Sequence, residues 1–279
     1  MNYKIVTDSS SNLFSLEGAD FASVPLKINT AAGEYVDDPS LDVEAMVLQI
    51  KATKGRSGTA CPSIGEWLDA FRGADRVSAI TITGALSGSY AACVQAAREY
   101  EQEHPGVRVQ VIDSLSAGPE LALLAERIRD QIQAGQTFEQ IVADVERYQR
   151  HTHLSFCLES LTNLARNGRC SPAVAAVAGV LGIRLVGMAS AEGTLEPRHK
   201  SRGERKAREA VYQDMLAHGY DGGKVRIAHC MNIEGAQGMA HLIHTHYPQA
   251  QVVVEKCGGL CGYYAEKGGL MIGFEDREA

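Results

Sequence analysis

Apolar runs of strand length alternate with helix-period patterns along the 279 residues. Runs at 3–7, 22–28, 77–83, 107–112, 152–158, 182–189, 225–230 and 251–255 read as strands. Patterns at 41–52, 63–71, 88–103, 119–134, 138–149, 172–180, 202–217 and 234–246 read as helices. The alternation predicts an α/β fold of largely parallel sheets flanked by helices. Local signals mark several helix ends. Ser63-x-x-Glu66, Thr137-x-x-Gln140 and Ser201-x-x-Glu204 each fit a capping box. Ser171 before Pro172 fits an N-cap with proline at the first helical position, and Gly135 fits a helix stop. A seam between two domains is expected near 148–156, after TFEQIVADVERYQR, giving units at 1–150 and 151–279.

Three strands run straight into Ser- and Gly-rich corners: KIVTDSSSN at 4–12, AITITGALSGSY at 79–90 and VIDSLSAG at 111–118. In open α/β sheets, ligands bind beyond the carboxyl ends of strands. Ser87 is placed to cap the helix at 88–103. The N–H groups of Gly88, Ser89 and Tyr90 then lie at a positive helix end, which favours an anion. Ser63 opens another helix, with Thr59 just before it. Capping and turn chemistry accounts for any one corner without a ligand. Their recurrence at several strand ends points to a small anion or a carboxylate. Nucleotide-loop spacings are missing: there is no GxxxxGKS/T and no GxGxxG after a strand. No GxSxG elbow occurs either. His151, His153, His199 and His229 are candidate bases for a serine hydrolase, and nothing in the sequence selects one.

Composition narrows the classes. With 27 basic and 34 acidic residues, net −7, there is no basic excess to release counterions from nucleic acid. The longest apolar run, AVAAVAGVLGI at 173–183, is too short to span a bilayer. MNYKIVTDSS reads as a strand rather than a signal peptide. A cytoplasmic protein without an integral membrane segment is expected, its seven cysteines reduced. Cys257 and Cys261 lack the second pair that a structural zinc site needs. His241, His244 and His246 of HLIHTH read as a solvated helix end rather than a metal site. No cofactor is implied.

The second half adds an apolar feature. LESLTNLARNGRCSPAVAAVAGVLGIRLVGM carries Leu158, Leu161 and Leu164 at helical spacing, then a Gly-Arg corner, then a helix of small residues. Small residues beside leucines leave room for an apolar tunnel along 158–188, or else for tight helix–sheet packing. A carboxylate site beside an apolar tunnel describes a fatty-acid binder.

Six segments, in order and at fitting spacing, resemble the DegV family of bacterial fatty-acid-binding proteins, which includes the acyl-carrying subunits of fatty acid kinase. They are KIVTDSSSNL, GTACPSIGEW, ITITGALSGSYAA, VIDSLSAG, LTNLARNGRCS and HKSRGERKA. The resemblance runs from end to end and implies two α/β domains, each a mostly parallel sheet, with the lipid between them. It implies a carboxylate held by Thr59, Ser87 and Gly88, with Ser89 where the family usually has threonine. Arg169 maps to the Gly-Arg corner. The family usually closes with H-x-G-P-G, whose histidine also reaches the carboxylate; here the tail reads CGGLCGYYAEKGGLMIGF and places Tyr264 at the histidine position. Tyrosine can still donate a hydrogen bond. Ser63, Arg169 and Arg202 are expected near the site or facing a partner. Arg202, directly after the Ser201 cap, would oppose the helix dipole, and by resemblance it faces a kinase subunit. The function implied is binding of a long-chain fatty acid and its presentation to a separate ATP-dependent kinase, with no catalysis by this chain. Two alternatives remain: an acyl hydrolase and a lipid-responsive sensor module. For the hydrolase, Cys61 before Pro62 at a helix start is the candidate nucleophile, though packing is the commoner role of such a residue.

Overall fold

The computed structural model describes residues 2–53, 55–178 and 182–279. Its first half opens with β1 (Tyr3–Asp8), a 3-10 turn at Ser9–Ser11, β2 (Asp20–Val24), β3 (Lys27–Thr30), β4 (Gly33–Val36), α1 (Val43–Ala52) and β5 (Ser57–Ala60). It continues through α2 (Ile64–Phe71), β6 (Arg76–Thr81), α3 (Ser89–Glu103), β7 (Arg108–Asp113), α4 (Pro119–Gln133) and α5 (Phe138–Tyr148). Strands β2, β1, β6 and β7 form a sheet in that order, with every pair parallel. Ile5, Val6, Val77, Ala79 and Ile80 have no exposed surface. Strands buried on both faces read as unbroken apolar runs, as these do. Strands β4, β3 and β5 make a separate antiparallel sheet. The expected strand at 22–28 is therefore two strands in two sheets. They divide at Pro25, which cannot donate to a ladder.

The second half holds β8 (Thr152–Leu158), α6 (Thr162–Arg166), α7 (Pro172–Ala178), β9 (Ile183–Ala189), β10 (Leu195–Arg202) and α8 (Glu204–Ala217). Then come β11 (Val225–His229), α9 (Ile233–His246), β12 (Val252–Lys256), α10 (Gly259–Ala265) and β13 (Leu270–Glu275). The last two residues of the expected helix at 172–180 lie outside the described ones. The six-stranded sheet has the order β10-β9-β8-β13-β11-β12. Among the described residues, β11 and β12 are its one parallel pair; the other neighbours are antiparallel. The α/β class is as expected, but this sheet is mixed rather than mostly parallel. Connectivity is the reason. A parallel neighbour needs a crossover, which α9 supplies between β11 and β12. β9 instead returns as β10 through a short turn, and β13 inserts between β8 and β11.

Helix caps follow the sequence where they are purely local. Ser63 and Thr137 form both reciprocal capping boxes. Gly135, at φ +75°, follows the end of α4 and donates to Ile132 O at 3.0 Å. The third box does not form. Ser201 and Arg202 end β10, paired with Arg184 and Ile183, and Gly203 at φ +81° precedes α8. Arg202 is therefore a strand-end residue and does not occupy the first helical turn. Likewise α3 starts at Ser89, with Gly88 at its N-cap; Ser87 Oγ accepts from Ser89 N at 3.2 Å.

Helix α4 joins the layers. Pro119 through Ala125 are all buried, because the helix packs on β1 and β6 on one side and on β11 and β13 on the other. A helical stretch buried all round, as 119–125 is, requires such double cover. One core cluster also crosses the chain's midpoint: Ile28, Met46 and Val47 pack with Phe156, Leu158, Leu164 and Tyr263. Among the described residues, no helix is long and apolar enough to cross a membrane.

Candidate functional site

Between the two large sheets lies a cavity with about 710 Å³ of empty space, part of it open to solvent. Each wall follows from local structure. Leu26, Ile82 and Ala117 come from the loops beyond the carboxyl ends of β2, β6 and β7. Leu154, Phe156 and Leu158 face it from alternate positions of β8, the two-residue period of a strand. Leu260, Cys261, Tyr264 and Ala265 form one face of α10. Two glycines shape it. A Cβ on Gly187 would stand 2.5 Å from Phe156 Cζ. One on Gly118, at φ +66°, would stand 2.6 Å from Met271 Cε.

Four polar residues line this cavity: Thr59, Ser87, Arg169 and Tyr264. They fall into two pairs, and the Arg169 charge is felt at Tyr264. Thr59 Oγ1 and Tyr264 Oη are 2.8 Å apart. Arg169 Nε donates to Leu86 O at 3.2 Å, next to Ser87, and its Nη1 donates to Asn167 O at 2.6 Å. Burial pushes the Tyr264 hydroxyl's pKa up, against the Thr59 hydrogen bond and the Arg169 charge. The phenol is therefore neutral. Of the two hydroxyls in the Thr59–Tyr264 pair, one donates to the other, which leaves one O–H free. Ser87 Oγ accepts from Ser89 N, so its own O–H is free as well. Two of the five guanidinium N–H groups of Arg169 are engaged. The group thus offers donors and a positive charge, which is what a carboxylate needs.

The other serine corners are filled from within. Asp8, fully buried at the end of β1, accepts from Ser10 Oγ at 2.5 Å, Ile82 N at 2.9 Å and Ser89 Oγ at 2.6 Å. Its pKa is raised by burial, against the Ser10 and Ser89 hydrogen bonds. Glu120 accepts from Ser116 Oγ at 2.5 Å and Thr152 Oγ1 at 2.9 Å, and burial pushes its pKa up to about 7. Two of the three corners in the sequence therefore hold the chain's own carboxylates. Ser89 has spent its one O–H on Asp8 and is not brought to the cavity. Ser63 is engaged with Glu66 in its capping box. Gly88 is exposed and is not among the lining residues; a Cβ there would stand 3.2 Å from Cys61 Sγ. Arg202 is exposed and is not among the lining residues.

The pattern reading missed α10, which supplies more of the wall than any other helix, and Asp37, which holds it. Asp37 is buried after β4 and accepts from Gly259 N at 2.5 Å and Leu260 N at 2.9 Å. Burial pushes its pKa up to about 6, against those N–H groups and a hydrogen bond from Ser9. The adjacent glycines at 258–259 were the available signal. Of the leucines read at helical spacing, Leu158 and Leu164 line the cavity; Leu161 packs in the core.

A family model described as "uncharacterised protein, DegV family" matches residues 2–277. The chain belongs to the DegV family. It is 41% identical over 279 residues to a DegV domain-containing protein of Streptococcus pneumoniae, covering 99% of each. The crystal structure of a DegV family protein from Eubacterium eligens, loaded with heptadecanoic acid, is 41% identical. It superposes with a TM-score of 0.97 over 99% of this chain and 100% of that one. The Streptococcus pneumoniae Fatty Acid Kinase (Fak) B3 protein, loaded with linoleic acid, is also 41% identical, with a TM-score of 0.96 and 99% of each chain covered. Within this DegV chain, Cys61 is exposed. Among the described residues its sulfur meets no hydrogen-bond partner.

Proposed function

We propose that this DegV protein binds a long-chain fatty acid between its two large sheets. The carboxylate is held by the free O–H of the Thr59–Tyr264 pair, by Ser87 and by the Arg169 charge. The acyl chain fills the space lined by Leu154, Phe156, Leu158, Leu195 and Met271. The observation that carries this reading is an apolar cavity whose four polar lining residues offer spare O–H donors and one cation. Likeness to two lipid-loaded relatives over nearly their whole length supports it.

The chain acts as a binding subunit. It presents the carboxylate to a separate ATP-dependent kinase that forms the acyl phosphate, and it catalyses nothing alone. Its likeness to a protein called fatty acid kinase B3 supports that role. We place it in the cytoplasm and read residues 1–150 and 151–279 as its two domains.

Mass spectrometry of lipid released on denaturation tests the reading. One fatty acid per chain is expected from protein purified from a bacterial host. An empty protein that also takes up no added fatty acid would refute it. The kinase role is tested separately, by adding a kinase subunit and ATP to the loaded protein and measuring acyl phosphate.

A further inference from the structure

Helix α10 is an improbable helix by composition. Its seven residues, GLCGYYA, contain two glycines, and a third, Gly258, precedes them. Glycine in a helix interior is destabilising by about 1 kcal/mol relative to alanine. Contacts with distant parts of the chain hold it instead. Asp37 gives one carboxylate oxygen to Gly259 N and the other to Leu260 N. Asn12, at φ +63°, accepts from Gly258 N at 2.8 Å. Cys261 Sγ donates to Ser10 O at 3.2 Å.

The glycines make this clamp fit. A Cβ on Gly259 would stand 2.7 Å from Asp37 Oδ1 and 2.6 Å from Leu41 Cδ2. At the opposite end of the helix, Tyr264 meets Thr59 and Tyr263 meets Ser57, each at 2.8 Å. Ser57 and Thr59 are alternate residues of β5 and so point the same way. The helix is thus tied at both ends, and its cavity-facing residues Leu260, Cys261, Tyr264 and Ala265 lie at or beside the ties.

We infer that Asp37 is a positioning residue for lipid binding: by fixing the first turn of α10 it sets where Tyr264 meets Thr59. The inference rests on the fatty-acid reading above. Asp37 does not line the cavity, so its influence on the ligand has to pass through the helix.

A double-mutant cycle tests it. Asp37→Asn keeps the size but replaces one acceptor oxygen with an N–H2 that faces a backbone N–H. Titration with a fluorescent long-chain fatty acid is expected to show a fall in affinity of about tenfold, the size of one lost hydrogen bond to a charged group. In a Tyr264→Phe background the same change is expected to cost much less, because the residue it acts through has already been altered. Equal fold-losses in both backgrounds would overturn the inference, since a general loosening of the fold would give that result. If Asp37→Asn does not melt cooperatively, Gly259→Ala pushes the same two groups apart and enters the cycle instead. If the parent protein takes up no fatty acid, the fatty-acid reading fails by itself. The crystal structure of the Asp37 variant then decides the inference. Tyr264 displaced from Thr59 would sustain it, and an intact pair would overturn it.

Discussion

The hydroxyls of Thr59 and Tyr264 meet at 2.8 Å across 205 residues of chain. Neither residue carries a charge, yet together they present a single spare O–H to the cavity beside Arg169. The pair is self-satisfied without a ligand and can still donate outward when an anion arrives. A lone buried hydroxyl lacking a partner would cost about 1–3 kcal/mol.

The roles within the pair can be separated by mutation. With Tyr264 donating to Thr59 and Thr59 donating outward, Thr59→Val removes the hydrogen bond to the ligand. It is expected to weaken fatty-acid binding by about 1.5–3 kcal/mol, the worth of a hydrogen bond to a charged group. Tyr264→Phe leaves Thr59 free to turn its own O–H to the ligand, so a smaller loss is expected. Titration with a fluorescent fatty acid measures both. A larger loss in the tyrosine variant would make Tyr264 the direct donor.

Ser87→Ala is expected to weaken binding by about 1.5–3 kcal/mol for the same reason. Because Ser87 also accepts from Ser89 N, a drop in melting temperature should accompany it. A lost hydrogen bond of this type costs about 0.5–1.5 kcal/mol. Unchanged affinity with lowered stability would leave Ser87 a structural role alone.

Gly118 governs the space around Met271. Gly118→Ala would set a Cβ 2.6 Å from Met271 Cε, at a backbone φ of +66° that disfavours side chains. Met271 must move, and the cavity is the soft side. The longest fatty acids are expected to lose affinity more than short ones, by about 0.8 kcal/mol for each methylene left unburied. Affinities across a saturated chain-length series give the answer. A uniform loss at all lengths would mean that Met271 moved elsewhere.

Glu120 makes stability depend on pH. Its folded-state pKa is about 7, against an ordinary value of 4.5. Between these values the folded chain keeps a proton that the unfolded chain has released. Stability therefore falls as pH rises from about 4.5 to 7, by on the order of 3 kcal/mol. Glu120→Gln should remove this slope and raise the melting temperature at pH 8. Thermal melts of both proteins between pH 5 and 8 would reveal it; parallel curves would show that Glu120 titrates as an ordinary acid.

What the sequence made legible depended on the range of the forces involved. The Ser63 and Thr137 caps need only four consecutive residues, and both form as expected. Thr59 and Ser87 came from motif resemblance, and both line the cavity. Strand β10 escaped the pattern because LEPRHKSR, at a sheet edge, keeps charge and a proline that a central strand would not. Ser201 then looked like a cap, when the strand had already claimed it. Helix α10 escaped for a different reason: its stability comes from Asp37, Asn12 and β5, not from its own residues. The serine corners were read as sockets for an outside anion. Asp8 and Glu120 occupy two of them, a fact invisible until β1 is placed beside β6 and α4 beneath β8.

The ties on α10 also carry a consequence for synthesis. Gly258 reaches back 246 residues to Asn12, and Leu260 reaches back 223 to Asp37. At about 5–20 residues per second, a ribosome would finish β5 roughly 10–40 seconds before it delivers Tyr264. Within that interval the first sheet can form once β7 is made, but the apolar wall that α10 covers has no lid. The nascent chain therefore depends on its last residues to close the cavity.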